Sequence, residues 1–213
     1  MSAWIKLLSV AAALLAAATL PSGGERGAKA HPHVWILAQA AMLHDGQTVT
    51  AVRLDWRFDE FFSAILFEDF DWNGDGAFTP DEVEAMRAGA FAGLSEVGWF
   101  TDLRADGKPQ LLSDAKDFSV SVSPDGALVT YSLTLALETP IDPVERTLSL
   151  SIYDPEYYVS LEFDEIAQPI RIADGAGFSC TARIERDAAN RLYFDLFEPP
   201  IAYFDCAPRA AEG

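Results

Sequence analysis

Apolar and polar residues along this chain recur with two periods, and the changes of period mark its parts. In Thr48–Phe58, TVTAVRLDWRF, the residues Thr50, Val52, Leu54, Trp56 and Phe58 alternate with Val49, Ala51, Arg53, Asp55 and Arg57. A period of two with one mostly apolar set describes a half-buried strand. The preceding run His33–Leu43, HVWILAQAAML, reads as a strand buried on both faces near its start. Between them, His44–Gln47 carries Asp-Gly at its centre, a hairpin signal. At Asp59 the period lengthens, and Phe62, Ile65, Leu66 and Phe70 recur at helical spacing. A second helix opens near Pro80, with Asp81, Glu82 and Glu84 in its first turn and Val83, Met86, Ala90, Phe91 and Leu94 as its apolar stripe.

Beyond Gly98 the alternation returns. FTDLRADGKPQLL turns at Ala105–Lys108, and FSVSVSPDGALVTYSLTLAL is two runs joined by Pro124-Asp125-Gly126. TLSLSIYD and YYVSLEF are separated by Asp154-Pro155-Glu156, and CTARIERDAANRLYFDLF reads as one more hairpin through Asp187–Asn190. Short strands broken by such turns predict an α+β fold, mainly antiparallel β in a sandwich or open barrel. A helix–loop–helix is inserted into it at about residues 59–97. With no repeat, low-complexity run or linker in the sequence, 31–213 is expected to be a single domain.

The first 30 residues stand apart. Lys6 precedes the apolar run Leu7–Leu20, and the segment ends Ala28-Lys29-Ala30. A charged start, a short apolar stretch and an A-x-A site are the pattern of a secretory signal peptide. The run is shorter than the ~20 residues that span a bilayer, so after cleavage no membrane insertion is expected. Setting aside Lys6, Arg26, Lys29 and Glu25 leaves 12 basic and 32 acidic residues, a formal charge of −20. Such a surface repels nucleic acid and anionic membrane and attracts cations. In an oxidising compartment Cys180 and Cys206 read as one disulfide, closing a loop of about 27 residues. A periplasmic or secreted location follows.

Two groups of residues carry candidate chemistry. The twelve-residue stretch DWNGDGAFTPDE meets the calcium-loop pattern D-x-[DN]-x-[DN]-G-x₅-E at Asp71, Asn73, Asp75, Gly76 and Glu82. Calcium takes six to eight oxygens, glycine permits the sharp bend, and a bidentate carboxylate at the twelfth position closes the shell. Ala77 would offer its carbonyl, and Thr79 holds the position that often works through a water. The alternative is a solvated turn without an ion. Sensors pair such loops to open a groove. This lone one in a secreted chain is expected to be a structural staple.

The second group is histidine. His31, His33 and His44 are the only histidines, and cleavage after Ala30 would begin the mature chain His-Pro-His. An N-terminal His can bind through ring and α-amine together, and imidazole suits Zn²⁺, Ni²⁺ or Cu²⁺. Pairing the hairpin about Asp45-Gly46 would set His33 opposite Phe58 and His31 near Asp59 or Glu60. The candidate transition-metal site is therefore His31, His33, Asp59 and Glu60. His44 would lie eleven residues along the strand from His33, roughly 35 Å at ~3.3 Å per residue, and is not expected to belong. That distance also disfavours a copper enzyme with a two-histidine site. The sequence has no G-x-S-x-G, H-E-x-x-H or Cys/His pairing, so no enzyme is expected.

HPHVWI, DWRFDEFF, the calcium-like loop, YDPEYY (Tyr153–Tyr158) and the late cysteine pair, in that order, resemble the bacterial family called domain of unknown function 1007. The chain has Leu37 where that family's pattern leads one to expect Asp. The resemblance implies a periplasmic, transport-associated protein whose neighbours resemble nickel/cobalt-type transporters. It thus adds Co²⁺ to the candidate metals and an inner-membrane metal permease as the implied partner. A calcium-stabilised structural or adhesive module remains the alternative. In YDPEYY, Asp154-Pro155 reads as a turn and the tyrosines as core.

Overall fold

The computed structural model describes residues 32–209; the expected signal peptide and His31 lie outside them. Val34–His44 (β1) and Val49–Phe58 (β2) form the expected antiparallel hairpin. Its register differs from expectation: Phe58 faces Ile36 rather than His33. Two local features shift it. The Asp45 carboxylate accepts from the N–H of Gln47 and Thr48, so the turn spans Asp45–Thr48, and the ladder slips between Leu43 and His44.

Glu60–Phe70 (α1) and Pro80–Met86 (α2) follow, joined by the loop 71–79. Past Met86 the expected α-helical stripe does not continue as α-helix. Arg87–Phe91 is π-helical and Ala92–Phe100 is a kinked 3₁₀ stretch. Met86 and Phe91 stay buried across the change.

The remaining strands are Thr101–Ala105 (β3), Lys108–Pro109 (β4), Lys116–Val122 (β5), Val129–Ile141 (β6), Leu148–Ile152 (β7), Val159–Phe163 (β8), Ile170–Ile172 (β9), Phe178–Arg186 (β10) and Pro200–Pro208 (β11). They make two sheets rather than one rolled sheet. The first runs β5-β6-β2-β1-β8, with β9 also on β1; the second runs β10-β11-β7-β3-β4. Most pairs are antiparallel, but β8 and β9 join β1 in parallel. The expected hairpin through Asp187–Asn190 closes differently. Strand β10 pairs with β11, while Leu192 and Phe197 form only an isolated bridge. Tyr193, Phe194 and Asp195 all have φ between 49° and 61°, which takes that segment out of extended geometry.

One hydrophobic core serves both sheets. Leu54, Trp56, Leu133 and Leu135 of the first and Leu103, Leu148, Leu150 and Phe204 of the second belong to it. The helices dock on the first sheet. Phe62 lies 4.9 Å from Phe58 ring to ring, and the buried Ser63 hydroxyl accepts from the Val129 N–H at 3.0 Å. Cys180 and Cys206 face each other across β10 and β11 and are joined as a disulfide. Closing a loop of that size contributes ~3 kcal/mol through the unfolded chain. No described helix is long and apolar enough to cross a membrane.

Candidate functional site

The loop between α1 and α2 is organised by its own carboxylates. Asp71 Oδ1 accepts from the N–H of Gly74 at 2.9 Å and Asp75 at 3.2 Å, and Oδ2 from Gly76 at 3.0 Å. Gly74 and Gly76 hold φ of 69° and 78°, which wraps the backbone around that carboxylate at little cost. Asn73 and Asp75 are linked side chain to side chain at 3.0 Å, and Asp75 Oδ1 accepts from the Ala77 N–H at 2.9 Å. Thr79 caps α2 in a reciprocal capping box with Glu82, and Pro80 starts the helix. Phe78 stacks on Phe67 at 5.0 Å, fastening the loop to α1.

Glu82 closes the loop. It is 2% exposed, with Oε1 accepting from the Trp72 N–H at 2.8 Å and Oε2 from the Thr79 N–H at 2.7 Å and hydroxyl at 2.8 Å. The Thr79 N–H, foremost, holds its carboxyl below the usual glutamate range, against the opposing effect of burial. Among the described residues, no three His, Cys, Asp or Glu side chains stand as a ready-made metal cluster. The loop carboxylates are turned onto backbone N–H groups instead. A carboxylate has about four lone-pair positions. Asp71 uses three on Gly74, Asp75 and Gly76, and Glu82 is held by donors from Trp72, Asn73 and Thr79. An all-oxygen donor set of this kind fits calcium and not a soft transition metal.

At the other end of α1, Asp59 is the N-cap. Its Oδ1 accepts from Phe61 and Phe62 N–H at 2.8 and 3.0 Å, and its Oδ2 from Trp35 N–H at 2.9 Å. The Asp59 N–H in turn donates to the Trp35 carbonyl at 3.0 Å. The shifted register thus brings Asp59 to Trp35 rather than to the histidines. Asp59 and Glu60 line an open groove of about 850 Å³ with Trp35, Leu37, Arg57 and Phe61. His33 sits at the start of β1, exposed on the same side as Trp35 and Leu37. Its N–H donates to the Tyr158 carbonyl at 2.9 Å, and its ring lies 4.7 Å from the Tyr158 ring. His44 is elsewhere: its Nε2–H donates to the Ala173 carbonyl, and its Nδ1 accepts from the Gly46 N–H.

The sequence profile of the family described as "Protein of unknown function (DUF1007)" matches residues 13–193. The chain belongs to the DUF1007 family. An uncharacterized protein of Haemophilus influenzae is 23% identical over 137 residues, covering 64% of this chain and 65% of that one. An "Uncharacterized 15.5 kDa protein in trpE 3'region" of Spirochaeta aurantia is 27% identical over 141 residues, 66% of this chain and 97% of its own length.

In this DUF1007 chain the YDPEYY segment does more than turn. Asp154 is buried and its carboxylate collects the N–H groups of Glu156, Tyr158 and Val159 at 2.9–3.0 Å, which starts β8. Tyr157 stacks on Phe197 at 4.3 Å, and Tyr158, half exposed, stands beside His33. Sequence reasoning missed Tyr158 as a neighbour of the histidine strand. Parallel pairing of β1 with β8 has no local turn to announce it. The one signal available was the aromatic doublet after Asp-Pro.

Proposed function

We propose that this DUF1007 protein is an extracytoplasmic metal-binding accessory protein of a divalent transition-metal transport system, stapled by calcium at loop 71–82. The observation that carries this reading is the joint at Asp59. Through it, the helix entering the loop grips β1 at Trp35, two residues from the exposed His33. Asp71, Asn73, Asp75 and Glu82, with the Ala77 carbonyl and Thr79, would hold calcium, which would lock α1 against α2 and so fix the strand end. His31 and His33 would supply imidazole to nickel, cobalt, zinc or copper, with Asp59 or Glu60 as the carboxylate partner. The groove beside Trp35, Leu37 and Phe61 would meet an inner-membrane permease. The disulfide supports an oxidising compartment such as the periplasm.

A second reading, a calcium-stabilised module with no transition metal, is favoured by one observation: Asp59 already serves three backbone N–H groups. Metal analysis of protein isolated from the periplasm separates the two. The first reading expects one calcium per chain, absent from Glu82→Gln. It also expects nickel, cobalt, zinc or copper affinity at least about tenfold weaker in His31→Ala/His33→Ala. Unchanged transition-metal affinity in the histidine variant, or a mature chain that does not begin at His31, leaves only the second reading. Calcium persisting in Glu82→Gln sinks the staple.

A further inference from the structure

Two segments far apart in sequence, the YDPEYY turn and the loop 193–196, meet around an open pocket of about 390 Å³. Pro155, Glu156 and Tyr158 line it from the first, Tyr193 and Phe194 from the second. Three of the five lining side chains are aromatic, one is a carboxylate and none is cationic. Phe194 is 79% exposed and Tyr158 50%, so these rings stand at the surface rather than in the core. The Tyr193 and Phe194 rings lie 5.4 Å apart and are inclined at 65°, which makes a corner rather than a flat stack. Glu156 makes no ion pair among the described residues.

Both segments are held in place. The buried Asp154 carboxylate takes the N–H groups of Glu156 and Tyr158, and the bridge between Leu192 and Phe197 pinches the loop that carries Tyr193 and Phe194. Tyr157 joins the two, stacked on Phe197 at 4.3 Å and 5.8 Å from the Tyr193 ring. The backbone is left-handed at Tyr157, Tyr193 and Phe194, with φ of 55°, 49° and 58°. That geometry is costly for bulky aromatic residues and concentrates at ligand sites. A ring as exposed as Phe194 recovers little of the cost by burial.

We infer that this pocket receives the head group of a small organic cation, a quaternary or heavily methylated ammonium of the choline type. Aromatic faces attract a cation within about 6 Å of the ring centroid, and cages of several rings are a recurrent way of holding methylated ammonium groups. Glu156 supplies the counter-charge at the rim. A primary ammonium brings three N–H donors, more than one carboxylate serves well, whereas a quaternary one brings none. A divalent metal ion wants several oxygen or nitrogen ligands, and the lining offers a single carboxylate. An anion would meet Glu156 with no cation to offset it. The chain's formal charge of −18 draws cations to its surface, and the open mouth leaves the rest of the molecule in solvent.

Titration of the disulfide-intact protein with choline and with its neutral carbon isostere, 3,3-dimethylbutan-1-ol, tests this, with binding read from the ligand methyl protons by NMR. Choline is expected to saturate one site per chain in the millimolar range, about tenfold more tightly than the isostere. Phe194→Leu, at an exposed position, and Glu156→Gln should each weaken choline several-fold, while Phe194→Tyr, which keeps the ring, should retain it. The wild-type comparison of the two ligands stands even where a variant fails to fold. Equal affinity for choline and the isostere would overturn the inference and leave an apolar surface. Choline affinity unchanged in Phe194→Leu would overturn it too, leaving only general attraction to an acidic chain. Absence of saturation by choline in the millimolar range would do the same.

Discussion

Each end of α1 is built on an aspartate that collects three backbone N–H groups, and the two serve different ends. Asp59 takes Phe61 and Phe62 from the first turn of its own helix and Trp35 from a strand 24 residues earlier. Asp71 takes Gly74, Asp75 and Gly76, all from its own loop. The first is a joint between two elements. The second shapes a turn closed on itself. Where the donors come from decides whether a carboxylate ties two elements together or only shapes its own loop.

The largest expected effect breaks the joint. Asp59→Ala removes an N-cap and the tie to Trp35 together, and should cost about 2–3 kcal/mol in urea unfolding, equally with chelator and with calcium. In chelator, Asp71→Ala should cost less than about 1 kcal/mol, because the exposed loop N–H groups turn to water instead. If the two variants lose the same stability in chelator, the contrast between joint and loop is wrong.

The next effect sharpens the contrast from the loop's side. Extracellular calcium modules bind at about 0.1–1 mM. At about 10 mM calcium the wild type should therefore gain about 1.4–2.7 kcal/mol over chelator by mass action. Asp71→Ala should lose that gain, while Asp59→Ala should keep it from its lower baseline. A calcium gain that survives in Asp71→Ala would place the ion somewhere other than this loop.

The same contrast explains what could be read from the sequence. The turn between α1 and α2 was legible because its determinants are local, with glycine for positive φ at Gly76 and Asp and Asn at alternate positions, whereas the capping box of Thr79 with Glu82 was not read. The strand alternation of β2 was legible for the same reason, and Val52, Leu54, Trp56 and Phe58 are all buried. The Asp59 joint was not. It depends on a register that slips between Leu43 and His44, and a shift of three residues moved the carboxylate from the histidines to Trp35. The pairing of His33 with Tyr158 depends on a parallel contact across 125 residues, which no short-range pattern encodes. Strand β11 escaped notice because RLYFDLF, nearer the turn, looked the better partner for β10. Its run of left-handed residues takes it out of the ladder.

The smallest expected effect is the response to acid, and Glu82 isolates it. Gln satisfies the capping box as Glu does, so Glu82→Gln removes charge while keeping the cap on α2. The native N–H donors, the Thr79 N–H first, lower the Glu82 pKa below the unfolded value near 4.5. A lowered carboxyl pKa means that its stabilisation is fully present above the unfolded value and is lost as pH falls through the folded one. Wild type should therefore shed a small extra increment of stability below about pH 4.5, and Glu82→Gln should show a shallower decline over that interval. Urea midpoints measured in chelator between neutral and acid pH read the difference directly. Parallel declines in the two proteins would mean that Glu82 is held by its cap geometry alone.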